Sequence, residues 1–294
     1  MPPPSAPIIV VKFTFSTVFC CVFSILALCS TASAEMTSPF EGDVIRVVER
    51  AQALPDGGGE TRILGGVTPH HGLALDMIAR FYQRISSPHV RRVWLLSPDH
   101  FKRARNYAVV CGDDWRTAGR VLKADAAAIS GLSGIKVVNT DSRLFAEEHG
   151  ITIHIPLIAR YFPNATVIPM VLKSNTPDVA LLMLKNYMLK SMKESMGESD
   201  VVILSMDLSH YKTPEGMKKE DERTLEVLTN LESMRTDSLD IDARRAASLV
   251  LRLFKELGAE RGVLMEHMDT SDILGYRVES GTSYATIVFH AELK

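Results

Sequence analysis

Histidines and carboxylates recur in close pairs along this chain: His70/His71, Asp99/His100, Glu148/His149, Asp207/His210 and Asp240/Asp242. Two of these pairs follow an apolar run ended by proline, in Gly65-Gly66-Val67-Thr68-Pro69-His70 and in Val93-Trp94-Leu95-Leu96-Ser97-Pro98-Asp99-His100. Proline lacks an N–H and pushes its predecessor to extended geometry, so each strand should stop there with its histidine just beyond the carboxyl end. A further apolar run, Val201 to Ser205, leads into Asp207 and His210 in the same way. In open α/β sheets that rim is where ligands bind. A lone histidine at a strand end is more often structural than catalytic. Three strand ends terminating in histidine would be costly in a buried rim, because each imidazole needs partners. Two neutral imidazoles and one carboxylate on one face of an ion form the donor set typical of non-haem Fe(II), with positions left open for oxygen or substrate. His70 and His100 are the imidazole candidates, and Asp242 the carboxylate, with Asp240 as its alternative. Asp242 also stands at the start of a helical run, and aspartate is a favoured N-cap, so plain capping is the competing reading.

Other chemistries find less support. There is no His-Glu-x-x-His pair, no glycine-rich phosphate loop and no Gly-x-Ser-x-Gly elbow. Cys111 carries no motif of a nucleophile and reads as a buried small residue. His89, His154, His267 and His290 lie outside the clusters and read as surface or structural. Met183, Met188 and Met192 read as core filler.

The elements that must position these residues alternate. A helix is expected around Pro39 to Ala53, then a loop through Gly57-Gly58-Gly59. The strand ending at His70 is followed by Leu73, Met77, Ile78, Phe81, Tyr82 and Ile85 at helical spacing. After the strand Val93 to Ser97, a short strand is expected at Tyr107 to Cys111, with Trp115 in a loop and a short helix at Ala124 to Ser130. A helix from Ile151 to Ala159 should end before Pro163. Then come the buried strand Val167 to Leu172, a helix Pro177 to Lys193, the strand Val201 to Ser205, a helix Pro214 to Leu231 with a solvated Lys/Glu face, a helix Ala243 to Leu257, and strands near Gly262 to Glu266 and Ser283 to His290. Alternating strands and helices imply an α/β fold, its sheet mainly parallel or mixed and covered by helices on both faces.

At 294 residues, 46% hydrophobic and net charge −2, the chain can bury one large core, and its charge balance does not suggest nucleic acid. Residues 1–34 read as a cleaved signal peptide: Lys12, an apolar run from Phe13 to Cys29, then Ala32-Ser33-Ala34. The competing readings are an uncleaved membrane anchor and, less well supported because Leu28 is bulky, a lipoprotein anchor on Cys29. Cleavage would export the protein, to the periplasm or outside the cell, with no membrane attachment. It would leave Cys111 as the only cysteine, so no internal disulfide could form. Residues 35–60 then form a lead-in and loop, and 61–294 a single domain.

From about Gly65 to Phe289 the motifs resemble the Memo family, also called AmmeMemoRadiSam system protein B, whose fold is similar to class III extradiol ring-cleavage dioxygenases. Pro69-His70-His71-Gly72 resembles its Pro-His-Ala-Gly, and Ser97-Pro98-Asp99-His100 its Gly-Pro-x-His. Glu148-His149-Gly150 resembles its Glu-His-Ser, and Ser205-Met206-Asp207-Leu208-Ser209-His210-Tyr211 its Ser-Ser-Asp-x-Ser-His-Tyr. The resemblance implies a metal held by His70, His100 and Asp242, the last standing where many Memo proteins carry a cysteine. Loss of the thiolate favours Fe(II), with Zn or Cu as alternatives. His210 is then the acid/base group, and Glu148, His149 and Asp207 orient the metal ligands through hydrogen bonds. Thr152 in place of a glutamate and Gly150 in place of a serine are departures from the pattern. The activity implied is dioxygenase-type oxidation of a small molecule. The alternatives are a non-catalytic metal-handling or protein-interaction role, and a zinc hydrolase using the same triad.

Overall fold

The computed structural model describes residues 35–50, 61–117, 119–194 and 199–292. The expected leader at 1–34 and the loop at Gly57-Gly58-Gly59 lie outside the described residues. In chain order, β1 (Glu35–Thr37) and α1 (Glu41–Arg50) precede β2 (Thr61–Thr68), α2 (Leu75–Ile85) and β3 (Val90–Pro98). Short strands β4 (Ala108–Val110), β5 (Asp114–Thr117) and β6 (Arg120–Leu122) lead to α3 (Ala126–Ser133), β7 (Val138–Thr140), α4 (His149–Thr152) and α5 (Ile155–Tyr161). The chain continues through β8 (Thr166–Leu172), α6 (Asp178–Glu194), β9 (Ser199–Ser205), β10 (His210–Lys212), α7 (Pro214–Thr229) and α8 (Arg244–Glu256). It closes with β11 (Ala259–Asp269), α9 (Thr270–Leu274) and β12 (Gly281–Glu292).

The main sheet has the order β10-β12-β2-β9-β3-β8-β4-β7, with β11 also paired to β12. Its centre, β2-β9-β3-β8, is parallel; β12 and β4 join it antiparallel. The fold is therefore a mixed α/β sheet with a parallel core. Strand residues alternate between two apolar layers, as expected for strands buried on both faces. Trp94, Leu96, Val202 and Leu204 pack with α3, α6, α7 and α8, while Val93, Leu95, Val201 and Ile203 pack with α1, α2 and α5. Two adjacent glycines let β2 sit tightly between its neighbours. A β-carbon at Gly65, which has φ +127°, would lie 1.9 Å from Val202 O, and one at Gly66 2.0 Å from Ile287 O.

Several elements differ from the sequence expectation for identifiable reasons. Trp115 is not in a loop: it is fully buried in β5, which pairs with β1 and β6 in a separate three-stranded sheet. Besides the neighbouring β6, this strand pairs with β1, about eighty residues away, and that second partner is one that local pattern does not reveal. The single helix expected from Ile151 to Ala159 is divided into α4 and α5. Pro156 has no N–H to offer Thr152 O, and the Ser38 hydroxyl donates to that carbonyl instead, at 2.7 Å. Met183 is 38% exposed rather than core, whereas Met188 and Met192 are buried. The charged face of α7 hides one fully buried carboxylate, Asp221.

Candidate metal centre

The parallel core sets the geometry of the centre. Thr68 of β2 pairs with Ser205 of β9, and Leu204 of β9 pairs with Leu96 of β3, so the carboxyl ends of three neighbouring strands lie side by side. His70, Asp207 and His100 follow these ends. Asp242 reaches the same rim from the segment before α8, and Glu148 and His149 from the start of α4.

The donor atoms converge. His70 Nε2 is 3.0 Å from His100 Nε2 and 3.0 Å from Asp242 Oδ2, and His100 Nε2 is 3.5 Å from the same carboxylate oxygen. Asp207 Oδ2 lies 3.7 Å from His70 Nε2. The remaining nitrogens are held from behind. His70 Nδ1 is 2.9 Å from Ser205 Oγ, and His100 Nδ1 is hydrogen-bonded to Glu148 Oε1. With Nδ1 carrying the proton, each imidazole presents a bare Nε2 lone pair to the other and to a carboxylate oxygen. Such a convergence of acceptors calls for a cation between them. Donors about 2.1 Å from a shared ion stand about 3.0 Å apart if octahedral and about 3.4 Å apart if tetrahedral. The three edges measured here, 3.0, 3.0 and 3.5 Å, fit a small transition-metal ion held by His70, His100 and Asp242.

Electrostatics point the same way. Glu148 is fully buried, Asp207 is 2% exposed and His70 is 2% exposed, so carboxylates and imidazoles are packed together out of water. Burial alone would lower the imidazole pKa values. It is outweighed at His70 by the charges of Asp207 and Asp242, and at His100, raised to about 10, by hydrogen bonds to Asp242 and Glu148. Burial pushes Asp242 up, but the facing His70 and His100 hold it well below the usual carboxylate range. Asp207 is raised by burial and by Asp242. His149 is lowered to about 3, by burial and then by the two neighbouring histidines.

Asp242 does not cap α8: no side-chain cap bond is present there, and its carboxylate accepts from Asp207 N at 3.3 and 3.4 Å. Asp240 instead pairs with Lys212 at 2.7 Å. Asp99 accepts from Arg103 N and Ala104 N and shapes the turn after His100. Asp207 Oδ1 accepts from His70 N at 3.0 Å, so this carboxylate is directed to His70. No hydrogen bond joins Asp207 to His210 among the described residues. His210 sits half-buried at the start of β10, beside the exposed Tyr211. His149 packs against both imidazoles, 4.1 Å from the His100 ring centroid and 5.2 Å from that of His70. With its side chain 38% exposed, it marks the open side of the centre.

Some supporting residues escaped the sequence reading. Ser205 fixes the His70 ring, a role its place in the Ser-Met-Asp-Leu-Ser-His-Tyr run could have signalled. Asp221 accepts from the Ser209 hydroxyl at 2.5 Å and faces His267 Nε2 at 2.9 Å, anchoring the turn before His210. His267 is thus a partnered structural residue. His154 is fully buried against Tyr82, and burial keeps it neutral. Cys111 is buried and unbridged, its thiol pushed up to about 11 by burial, which makes it a poor nucleophile.

A mixed α/β sheet here gathers two histidines and carboxylates at its parallel strand ends, a group that could hold a metal ion at that rim. The sequence profile described as Memo-like protein matches residues 44–288. The chain is 26% identical over 267 residues to a MEMO1 family protein of Ignicoccus hospitalis, covering 84% of this chain and 93% of that one. It is 27% identical over 252 residues to a MEMO1 family protein of Pyrobaculum aerophilum (82% and 88%), and 25% identical over 222 residues to one of Aquifex aeolicus (71% and 79%). The chain belongs to the Memo family.

Proposed function

We propose that the protein is a non-haem metal protein that holds Fe(II) through His70, His100 and Asp242 and uses it in dioxygenase-type oxidation of a small molecule. The observation that carries this reading is the set of donor separations, 3.0, 3.0 and 3.5 Å, among atoms whose other sides are already hydrogen-bonded. An oxygen and nitrogen donor set without thiolate favours Fe(II) over thiophilic ions, with Zn and Cu as competitors. Bound iron would supply oxygen activation at its open positions. The chain's own residues supply the rest: Ser205 and Glu148 fix the imidazole tautomers, Asp207 holds the His70 backbone, and His210 carries protons at the rim.

Anaerobic reconstitution with Fe(II), followed by oxygen-uptake measurements with candidate small-molecule reductants and phenols, tests the reading. Stoichiometric iron with uptake that His210→Ala lowers about 10²–10⁴-fold, iron being retained, is the expected result. Iron bound without uptake would favour the metal-handling alternative. Loss of iron in His210→Ala would make His210 a ligand and the assignment wrong.

Export is part of the proposal. It is supported by the apolar run Phe13 to Cys29 and the small residues at 32–34. The mature N-terminus should be Glu35. Intact-mass analysis of the protein from native soluble and membrane fractions checks this, and recovery of the full-length chain in the membrane would overturn it.

A further inference from the structure

The geometry points to His149 as a third imidazole ligand of the same centre, making its protein donor set three histidines and one aspartate. This rests on the metal reading given above for His70, His100 and Asp242 and deepens it. Nitrogens of His70, His100 and His149 all lie within 4.8 Å of one another. Donors on opposite sides of an ion with bonds of about 2.1 Å stand about 4.2 Å apart, so a small rotation of one ring closes the difference. His149 is the ring free to make it. His70 and His100 are each tied at Nδ1, to Ser205 and Glu148. His149 Nδ1 stands 4.0 Å from Glu148 Oε1, beyond hydrogen-bond reach, and that oxygen is already engaged by His100 Nδ1 and Gly150 N.

The approach of His149 is also directed. Glu148 caps α4 through Gly150 N while gripping His100, which fixes the neighbouring residue beside the His100 ring. Phe101 also makes a T-shaped contact with His149, ring centroids 6.0 Å apart. An imidazole without a hydrogen bond to the described residues, pressed against two imidazoles whose lone pairs face a common point, is placed to complete the coordination. A centre with four protein donors holds its metal more tightly and leaves fewer open positions than one with three.

Counting imidazoles on a bound probe ion tests this without reference to activity. The full protein would be loaded with one equivalent of Cu(II), and coordinated imidazoles counted by pulsed electron paramagnetic resonance of their remote nitrogens. His149→Ala and His149→Gln would be measured alongside, and Co(II) absorption would report coordination number. The inference expects three imidazoles in the unaltered protein and two in both variants. It also expects a loss of affinity of about tenfold or more at unchanged stoichiometry. Two imidazoles in the unaltered protein and in both variants would overturn the role of His149 while leaving the His70, His100 and Asp242 reading intact. Absence of imidazole coordination from the unaltered protein would overturn both.

Discussion

Gly150 sits where a β-carbon would lie 2.1 Å from Ser97 Oγ and 3.1 Å from His100 Cε1, and Ser97 is fully buried with its hydroxyl donating to Pro98 O. In the motifs this chain resembles, serine stands at the position of Gly150 and glycine at that of Ser97. Here the two are exchanged, and the structure gives the reason: the positions touch, and there is room for one side chain between them. Gly150→Ala should therefore destabilise the fold by about 1–3 kcal/mol through overpacking, and Ser97→Gly in the same chain should recover most of that loss. Urea unfolding of the two single variants and the double variant measures it, and additive losses would show that the residues are not coupled. The imidazoles make a second prediction. Burial lowers His100, but hydrogen bonds to Asp242 and Glu148 raise it to about 10, so at neutral pH the metal-free site binds a proton that a metal must displace. Metal affinity should therefore rise with pH, by about tenfold per unit for each proton displaced between about pH 6 and 9. Chelator competition across that range reads the slope, and a flat profile would show that no proton competes.

At the scale of elements, the strand ends were the legible part. Pro69 and Pro98 stop β2 and β3 in the sequence as they do in the fold, and the apolar run into Asp207 places that residue beside them, because β9 lies between the two strands. The adjacency itself was not legible, since hydrogen-bonded register between strands more than a hundred residues apart leaves no local mark. The same limit hid the pairing of β5 with β1, and the break between α4 and α5, where Ser38 takes over the carbonyl that Pro156 cannot serve. At the other end of β9 and β3, Asp200 is fully buried and accepts from Arg92 Nε at 3.0 Å, Arg92 Nη2 at 2.6 Å and Trp94 Nε1 at 3.0 Å. This pair joins the two central strands far from the metal rim. Asp200→Ala should cost about 3–5 kcal/mol, because it removes the buried carboxylate facing Arg92 and the acceptor of the Trp94 indole N–H, while Ser191 Oγ and O still hold the guanidinium. Denaturant unfolding tests the cost, and a change under about 1 kcal/mol would mean that the pair does not hold these strands.

The molecule as a whole carries its chemistry at one end of a parallel core, and family membership extends over the greater part of the chain, residues 44–288. Of the cluster, His70, His100 and Asp242, with Asp240 as its alternative, could be named from residue type and spacing together with the resemblance. The contact between Ser97 and Gly150 could not be named there, because a hydroxyl or an absent β-carbon acquires meaning only from what it touches. The central claim is that His70, His100 and Asp242 together hold one ion. The most direct measurement is metal content per chain after anaerobic purification and Fe(II) loading, compared with His70→Ala, His100→Ala and Asp242→Ala, each checked for folding by circular dichroism. Near one equivalent in the unaltered protein, with occupancy collapsing in each folded variant, is the predicted result. Retention of a full equivalent by Asp242→Ala, or by either histidine variant, would contradict the account.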